Sequence, residues 1–335
     1  MKKYIVLIGL VFWVLVGLAQ APAGYYSSAE GLSGQALKEA LHEIIDGHTT
    51  HSYGDLWNAF WSTDNKGNGV VWDMYSDIPG GTPPYTFSMG VDQCGSDGCN
   101  NTEGTCYNRE HSWPQSWFNK QSTPRTDLHH IFPTDCQVNH DRGDHPYGEV
   151  RSGTTFQNGS KLGTCKTPGY TGTVFEPIDA YKGDFARAYF YMSVRYYSED
   201  AGWKTTDMTD KSEIKPWAMA MLLRWNKLDP VSQKEIDRNN VIYNDYQSNR
   251  NPFIDHPEYA DMIWDPSWSV DEVALPVAAE WMVVYDLSGR KLIQSNVSNE
   301  QDATMKLKNE LKRGCYLLML LDGNRVVVRR KLLVN

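Results

Sequence analysis

Charged and imidazole side chains are concentrated in residues 108–114 and 127–142, where they surround short apolar segments. Burying ionised groups is costly unless they are paired or bind a metal, so a purely structural region rarely collects so many of them. These two stretches therefore constrain the fold more than any other feature. They must lie where their polar groups find partners, in or beside a functional site.

The residue types in the two stretches point to metal-assisted acid–base chemistry. Glu110 and Asn139 offer oxygen ligands, which suit Mg²⁺ or a similar hard cation. His111 offers a base whose ordinary pKa lies near neutrality. Alone, Glu110 could be a solvated charge and Asn139 a capping residue, and a lone histidine is more often structural than catalytic. Each becomes a ligand candidate because the other is present.

Local structure decides whether these groups can meet. Consecutive strand residues point to opposite faces, so Glu110 and His111 share a surface only if the strand ends or bends there. The following Trp113-Pro114 supplies such a stop. Thr134 or Asp135 can cap a short helix that carries Asn139 and Arg142 on neighbouring faces.

The charge balance limits how this chain could bind nucleic acid. Its 335 residues include 32 basic and 41 acidic side chains, which gives a net charge of −9. This balance excludes a protein that binds nucleic acid through a large positive net charge. Binding would have to rely on a few local basic groups and a metal ion.

The N-terminus resembles a secretory signal peptide. Two lysines precede an apolar run over residues 4–16, and Gly17-Leu18-Ala19 supplies small residues for cleavage. We expect residues 1–19 to be removed, with a retained N-terminal anchor as the alternative. No later stretch of the sequence approaches eighteen apolar residues, so we expect no membrane span in the mature chain.

Six cysteines fit an oxidising compartment but are too few to form the scaffold of so long a chain. The spacing of Cys94 and Cys99 favours a local disulfide over a zinc site, because no matching second pair follows. Five cysteines precede the C-terminal tail, so at least one of them must be unpaired within that region.

The sequence predicts an α+β protein of roughly two domains, in which mixed helices precede a small all-β unit. A helix is expected to begin near Ser33, and short strands are expected between Tyr53 and Asp92, residues 70–75 being the clearest. Further helices are predicted over residues 182–197, 217–225 and about 233–245. Residues 20–265 would form the first domain and 266–276 a linker. Three apolar or alternating runs predict an antiparallel β-sandwich over residues 277–335.

Five separated motifs follow one another along the chain. They are Arg109-Glu110-His111-x-Trp113-Pro114, Asp127-Leu128-His129, Val138-Asn139-x-Asp141-Arg142, residues 175–188 with Phe175-Glu176-Pro177 and Lys182-Gly183-Asp184, and residues 247–255. In this order they resemble the bacterial endonuclease I family, which consists of secreted or periplasmic nucleases with a His-Me finger (ββα-metal) core. The resemblance extends from about residue 36 to residue 265.

The resemblance implies a role for each matching residue. His111 corresponds to the general base, and Glu110 and Asn139 to the ligands of one divalent cation, Mg²⁺ with Ca²⁺ or Mn²⁺ as alternatives. Cleavage would leave 5′-phosphate and 3′-hydroxyl ends. The arginine that steadies the phosphate has no firm counterpart, and its candidates are Arg125, Arg142 and, more weakly, Arg109. Asp127 and His129 are expected to orient the site without reacting.

The tail resembles the C-terminal sorting domain of the type IX secretion system. The similar residues are Tyr285 to Arg290, Gly314-x-Tyr316 and the closing run from Arg330 to Val334. This resemblance implies a periplasmic passage, export across the outer membrane, and release or attachment at the cell surface. An auxiliary binding domain is the alternative.

These features together predict a secreted, monomeric, metal-dependent endonuclease that acts on DNA, with RNA as a second substrate, and has little sequence specificity. Two alternatives stay open from the sequence. One is another metal-dependent phosphodiesterase, and the other is a non-catalytic protein that binds nucleic acid or a surface.

Overall fold

The part of the chain that the computed structural model describes leaves out residues 1–20, so the predicted signal peptide lies outside it, as does the predicted linker at 266–276. Among the described residues, no helix is both long and apolar enough to cross a membrane. The described ranges are 21–95, 98–265, 280–286, 289–297, 306–307, 310–311, 314–323 and 325–334.

Helix α5 (Lys182–Arg195) forms the centre of the larger core, and each of its fourteen residues is buried. A helix enclosed on all sides must pair any charge it carries. Arg187 of α5 binds Glu235 through two nitrogens, and Asp184 accepts a 2.9 Å hydrogen bond from Lys234. Aromatic and aliphatic side chains from the surrounding helices complete this core.

The predicted helices are confirmed, and the helix near residue 217 is longer than expected. The helix predicted over about residues 233–245 is α-helical to residue 241 and continues as a π-helical segment, Ile242–Gln247. In chain order the helices are α1 (Gly34–Ile45), α2 (Leu56–Thr63), α3 (Ser122–Arg125), α4 (Cys136–Arg142), α5 (Lys182–Arg195), α6 (Pro216–Leu228), α7 (Gln233–Val241), α8 (Pro252–Asp255) and α9 (Tyr259–Trp264).

Strands β1 (Tyr107–His111) and β2 (Ile131–Asp135) pair antiparallel, and α4 follows β2 without a connecting loop. Asp135 caps α4, because its side chain accepts a 2.8 Å hydrogen bond from the amide of Val138. This confirms the predicted short helix and its cap. The result is a strand–strand–helix unit in which α4 packs beside β1.

The prediction of short strands between Tyr53 and Asp92 was wrong. Residues 56–63 form helix α2, whose buried Leu56, Ala59, Phe60 and Thr63 follow helical spacing. Residues 70–75 form only isolated bridges to neighbouring segments. The Asp73 side chain accepts from the amide of Tyr75 at 2.8 Å, which turns the chain where a strand would have continued.

The remaining strands before residue 265 form two small antiparallel sheets. One sheet has three strands and begins eight residues after α4, and the other is a two-residue ladder before α6. These strands are β3 (Val150–Thr155), β4 (Lys161–Cys165) and β5 (Thr173–Glu176), followed by β6 (Thr209–Asp210) and β7 (Glu213–Ile214).

The C-terminal region forms a four-stranded antiparallel sheet. Its strands are β8 (Trp281–Asp286), β9 (Lys291–Asn296), β10 (Gly314–Asp322) and β11 (Arg325–Val334), and they lie in the order β11-β10-β8-β9. One side is apolar, and Met282, Val284, Leu318 and Leu320 pack there in one cluster with Leu307. The strand predictions are confirmed, but the described residues here form a single sheet and not the two facing sheets of a sandwich.

Two disulfides staple the strand–strand–helix unit to the loop before it. Cys94 pairs with Cys106, which precedes β1, and Cys99 pairs with Cys136, the first residue of α4. The expected local bond between Cys94 and Cys99 is therefore wrong: each pairs with a different cysteine at one end of the unit, where the Cys136 amide donates to the Cys106 carbonyl at 2.9 Å. The buried Cys165 is the unpaired cysteine that the count required.

Candidate active site

The side chains of β1 alternate between two environments. Asn108 and Glu110 face α4, while Arg109 and His111 contact Tyr53 on the other side of the strand. The strand ends at His111, as the following Trp113-Pro114 predicted. The metal-ligand candidate and the base candidate therefore approach the end of one strand from opposite faces. We call these the α4 face and the Tyr53 face.

Two side-chain hydrogen bonds connect the α4 face to helix α4. The Asn139 amide nitrogen donates to Asn108 Oδ1 at 2.7 Å, and Arg142 Nη1 donates to Glu110 Oε1 at 3.0 Å. Residues two apart on a strand and three apart on a helix lie on the same side. Asn139 and Glu110 therefore belong to neighbouring pairs across the same strand–helix contact.

Glu110 is buried in a polar pocket. Its Oε1 atom also accepts a 2.8 Å hydrogen bond from the Tyr75 hydroxyl. Burial raises the pKa of Glu110 to about 6, although Arg142 and the Tyr75 hydroxyl both favour the ionised form. A cation beside this carboxylate would favour ionisation further.

Arg142 is fully buried, so its guanidinium group contacts protein atoms and not solvent. Besides Glu110, it donates to the carbonyl oxygens of His111 at 3.1 Å and Ser112 at 2.7 Å, and it lies over the Tyr147 ring. A phosphate-steadying role does not fit this burial. Arg142 instead ties α4 to the end of β1 and balances the charge of Glu110.

On the Tyr53 face, one tyrosine ring contacts three cationic or basic side chains. The guanidinium carbons of Arg109 and Arg125 lie 3.7 and 4.1 Å from the ring centroid, and the His111 ring stacks on it at 6.0 Å. Arg109 also donates to the Tyr53 carbonyl at 2.7 Å. Tyr53 therefore holds Arg109, Arg125 and His111 in one cluster.

The protonation of His111 follows from its hydrogen bond. Its Nε2 atom lies 3.1 Å from the Arg125 carbonyl oxygen, which can only accept, so Nε2 carries the hydrogen of the neutral ring. Nδ1 is then the atom with the free lone pair. Burial lowers the pKa of His111 to about 3, with a smaller contribution from His130, so the ring is neutral at pH 7. A neutral imidazole with a fixed tautomer can accept a proton.

A cleft of about 280 Å³ opens beside this face, and Tyr53 and Arg125 form part of its wall. Lys120 adds a second full positive charge to the lining. Among the described residues that line this cleft, none carries a carboxylate. The remaining lining residues include five hydroxyl side chains, those of Thr50, Ser52, Ser122, Thr123 and Thr126.

Asp127 is buried at the base of the site and accepts hydrogen bonds from several elements. The amide of His129 and the side chain of Gln247 donate to Oδ1, at 3.1 and 3.0 Å. The hydroxyls of Tyr191 and Tyr196 donate to Oδ2, at 2.8 and 2.9 Å. Asp127 thus ties the segment before β2 to α5 and to the π-helical segment.

The charge of Asp127 is stabilised by its surroundings. Burial by itself raises the pKa of a carboxyl group, but the imidazoles of His48, His129 and His130 and the hydrogen bond from Gln247 outweigh it. The pKa of Asp127 therefore lies well below its usual range. His129 contacts the Asn249 carbonyl at 3.2 Å through Nε2.

Most of the residues singled out in the sequence lie around β1, but sequence reasoning missed several of their partners. Tyr53 and Lys120 fall in segments without a recognisable motif. Tyr75 was assigned to a strand, and its hydroxyl role depends on a contact 35 residues away. Gln247 belongs to a motif that the family resemblance marked without indicating its contact with Asp127.

The oxygen atoms around the α4 face fit a hard cation. Among the described side chains, Tyr75 and Arg142 donate their hydrogen bonds to Oε1 of Glu110. The other carboxylate oxygen, Oε2, can therefore serve as a metal ligand. The Asn139 amide nitrogen is bound to Asn108, which leaves its carbonyl oxygen. Two protein oxygens suffice for Mg²⁺, which usually keeps several waters.

Comparison with known proteins identifies the family of this chain. The model of the family described as Endonuclease I matches residues 33–258. The extracellular ribonuclease of Bacillus amyloliquefaciens is 42% identical over 252 residues, covering 72% of this chain and 78% of the relative. That of Bacillus subtilis (strain 168) is 40% identical over 248 residues, with the same coverage. Endonuclease-1 of Buchnera aphidicola subsp. Baizongia pistaciae is 32% identical over 130 residues, 38% of this chain and 46% of the relative.

These matches, together with the site, define the protein as a nuclease. The matched segment contains both faces of β1, the cleft and Asp127. The chain belongs to the endonuclease I family. Members of this family usually depend on a metal ion.

Proposed function

We propose that this protein is a secreted, metal-dependent endonuclease that hydrolyses phosphodiester bonds in DNA and RNA with little sequence preference. The observation that carries the proposal is the end of β1, which the Glu110–Asn139 oxygen pair and a neutral His111 approach from opposite faces. On the His111 side lies a cationic cleft whose described lining residues include no carboxylate. The two Bacillus relatives, which are named extracellular ribonucleases, support secretion and activity on RNA. The two disulfides fit an oxidising compartment.

In the proposed mechanism, His111 Nδ1 accepts a proton from the attacking water while Nε2 stays bound to the Arg125 carbonyl. Arg125, which is half-buried in the cleft wall, binds the scissile phosphate. Glu110 and Asn139 would hold the cation, and Arg142 and Tyr75 keep Glu110 in place. A bound divalent cation would neutralise charge on the phosphate and on the leaving 3′ oxygen, so cleavage leaves 5′-phosphate ends. Asp127 and His129 orient the unit.

A plasmid-nicking assay tests the proposed activity. We expect cutting of plasmid DNA and of a structureless RNA in Mg²⁺, loss of both with a chelator, and recovery when Mg²⁺ is restored. DNA fragments should be joined by a ligase without prior phosphorylation, because their 5′ ends carry phosphate. Cutting that persists in a chelator would contradict the metal role, and failure to ligate would contradict the assigned ends.

We further propose that residues 20–265 form the nuclease domain and that residues 277–335 are a sorting domain for the type IX secretion machinery. A four-stranded sheet placed at the C-terminal side of an enzyme supports this division. A chain that ends at residue 270 should be a monomer with full nuclease activity, and in a host with that machinery it should stay in the periplasm. Export of the shortened chain would contradict the sorting role.

A further inference from the structure

The cleft beside His111 carries positive charge in an otherwise acidic protein. Lys120 and Arg125 contribute two cationic groups to its lining, whereas the whole chain has a net charge of −9. Asp55 lies next to the cleft, and its carboxylate, which accepts a hydrogen bond from the Ser52 amide, offsets only one of these two charges. The local charge therefore favours an anionic ligand that the protein as a whole would repel.

The position of the cleft limits what this ligand can be. Its wall shares Tyr53 with the His111 stack and Arg125 with the His111 hydrogen bond, so a molecule in it lies beside the base. In the proposed mechanism, Arg125 binds the scissile phosphate. Lys120 can then bind a different phosphate on the same nucleic-acid strand.

The backbone presents Lys120 in a defined way. Asn119 and Lys120 both adopt left-handed conformations, with φ of 53° and 55°. The Lys120 amide donates to the Gln115 carbonyl at 2.9 Å, and the Asn119 side chain donates to the Gly202 carbonyl. The exposed lysine therefore extends from a turn that is fixed at both residues.

We propose that this cleft binds the nucleotide next to the scissile bond, with Lys120 paired to its neighbouring phosphate and the hydroxyls of Ser52, Ser122 and Thr123 bound to the sugar-phosphate backbone. The proposal rests on the proposed nuclease function. Hydroxyl and ammonium groups contact backbone atoms that every nucleotide has, so the cleft adds binding strength without sequence preference.

The test compares Lys120→Gln with Lys211→Gln. Lys211 is a matched control because it is also an exposed lysine with φ of 55°, on a turn outside the cleft. Both variants change the net charge equally. The substrate is a single-stranded 12-mer, and kcat and KM are measured from low to moderate KCl concentration.

For Lys120→Gln we expect KM to rise about twofold to fivefold with little change in kcat, as for the loss of one exposed ion pair. The slope of log(kcat/KM) against log[KCl] should become shallower by about 0.7, the value for one phosphate contact on a single strand. Lys211→Gln should retain the wild-type slope.

Equal slopes in the wild type and both variants would overturn the proposal, and so would equal changes in both variants, because bulk charge would then explain the effect. These outcomes test the role of the cleft independently of the proposed nuclease function. Wild-type protein that cuts nothing would refute the nuclease function itself, whereas an active enzyme with an unaffected Lys120→Gln variant would refute only the role of the cleft.

Discussion

The two faces of strand β1 show how one short strand can support two different kinds of environment. On the α4 face, Glu110 is enclosed by Arg142 and Tyr75, and its polar contacts come from the protein. On the Tyr53 face, Arg109 and Arg125 are half-buried, and Arg125 borders an open cleft. The first face holds the proposed metal ligands in fixed positions. The second offers the cationic groups that we propose bind the phosphate backbone.

The largest effect should come from His111, which lies on the Tyr53 face at the end of β1. Removing a positioned general base costs about 10²–10⁴-fold in rate. We expect His111→Ala to lose kcat by that factor under single-turnover conditions while binding a 12-mer as tightly as the wild type does. Full activity in this variant would remove His111 from the chemistry.

Replacing an arginine on the α4 face should mainly lower stability, whereas replacing one on the Tyr53 face should mainly lower activity. Arg142→Met leaves a buried carboxylate without its partner, so we expect a loss of about 3–5 kcal/mol in the free energy of unfolding. Arg125→Met should cost only about 1 kcal/mol, the value for its partly exposed cation–π contact with Tyr53, yet slow cleavage more than tenfold if it binds the scissile phosphate. Urea unfolding and initial rates separate the two outcomes. Equal stability losses would contradict the distinction between the faces.

The buried Asp127 predicts a specific pH dependence of stability. Its pKa is lower in the folded protein than the unfolded value of about 3.9, so its stabilising contribution is complete above that value and is lost as the pH falls through the folded pKa. We expect Asp127→Asn to unfold with a weaker acid dependence below about pH 4. Unchanged acid dependence in urea-unfolding series would contradict this role.

The two disulfides should differ in strength because they close loops of different length. Their sequence separations are 12 for Cys94–Cys106 and 37 for Cys99–Cys136. Chain entropy predicts that replacing the second pair by serines costs about 1 kcal/mol more than replacing the first. Thermal unfolding of the two double variants measures this difference in stability. The reverse order of stability losses would contradict the chain-entropy explanation.

Local sequence signals predicted the elements that carry the site. The Asp135 cap, the helix with Asn139 and Arg142, and the strand end before Pro114 follow from capping and backbone rules that act within a few residues. The α5 helix was equally clear from its apolar spacing. These features need no distant partner, which is why a single sequence is sufficient to predict them.

The features that sequence reasoning missed depend on distant contacts. Tyr53 acquires its role from three side chains that lie 56 to 72 positions later in the chain. Residues 70–75 looked like a strand because of their apolar character, but Asp73 turns the chain there by a side-chain hydrogen bond. The cysteine pairs join segments whose proximity is decided by the fold. The burial of Arg142 likewise depends on Tyr75 and Tyr147, which local patterns do not bring to it.

The most direct test of the central claim is to locate the cation. Crystals soaked in Mn²⁺, with data collected at its absorption edge, should show an anomalous peak about 2.1 Å from one Glu110 carboxylate oxygen and from Asn139 Oδ1. The same peak should vanish in Asn139→Ala. A second group of possible ligands, His42, Asp46 and Glu199, lies elsewhere on the described surface, but Arg195 already binds both carboxylates. A strong peak there, with none between Glu110 and Asn139, would contradict the account.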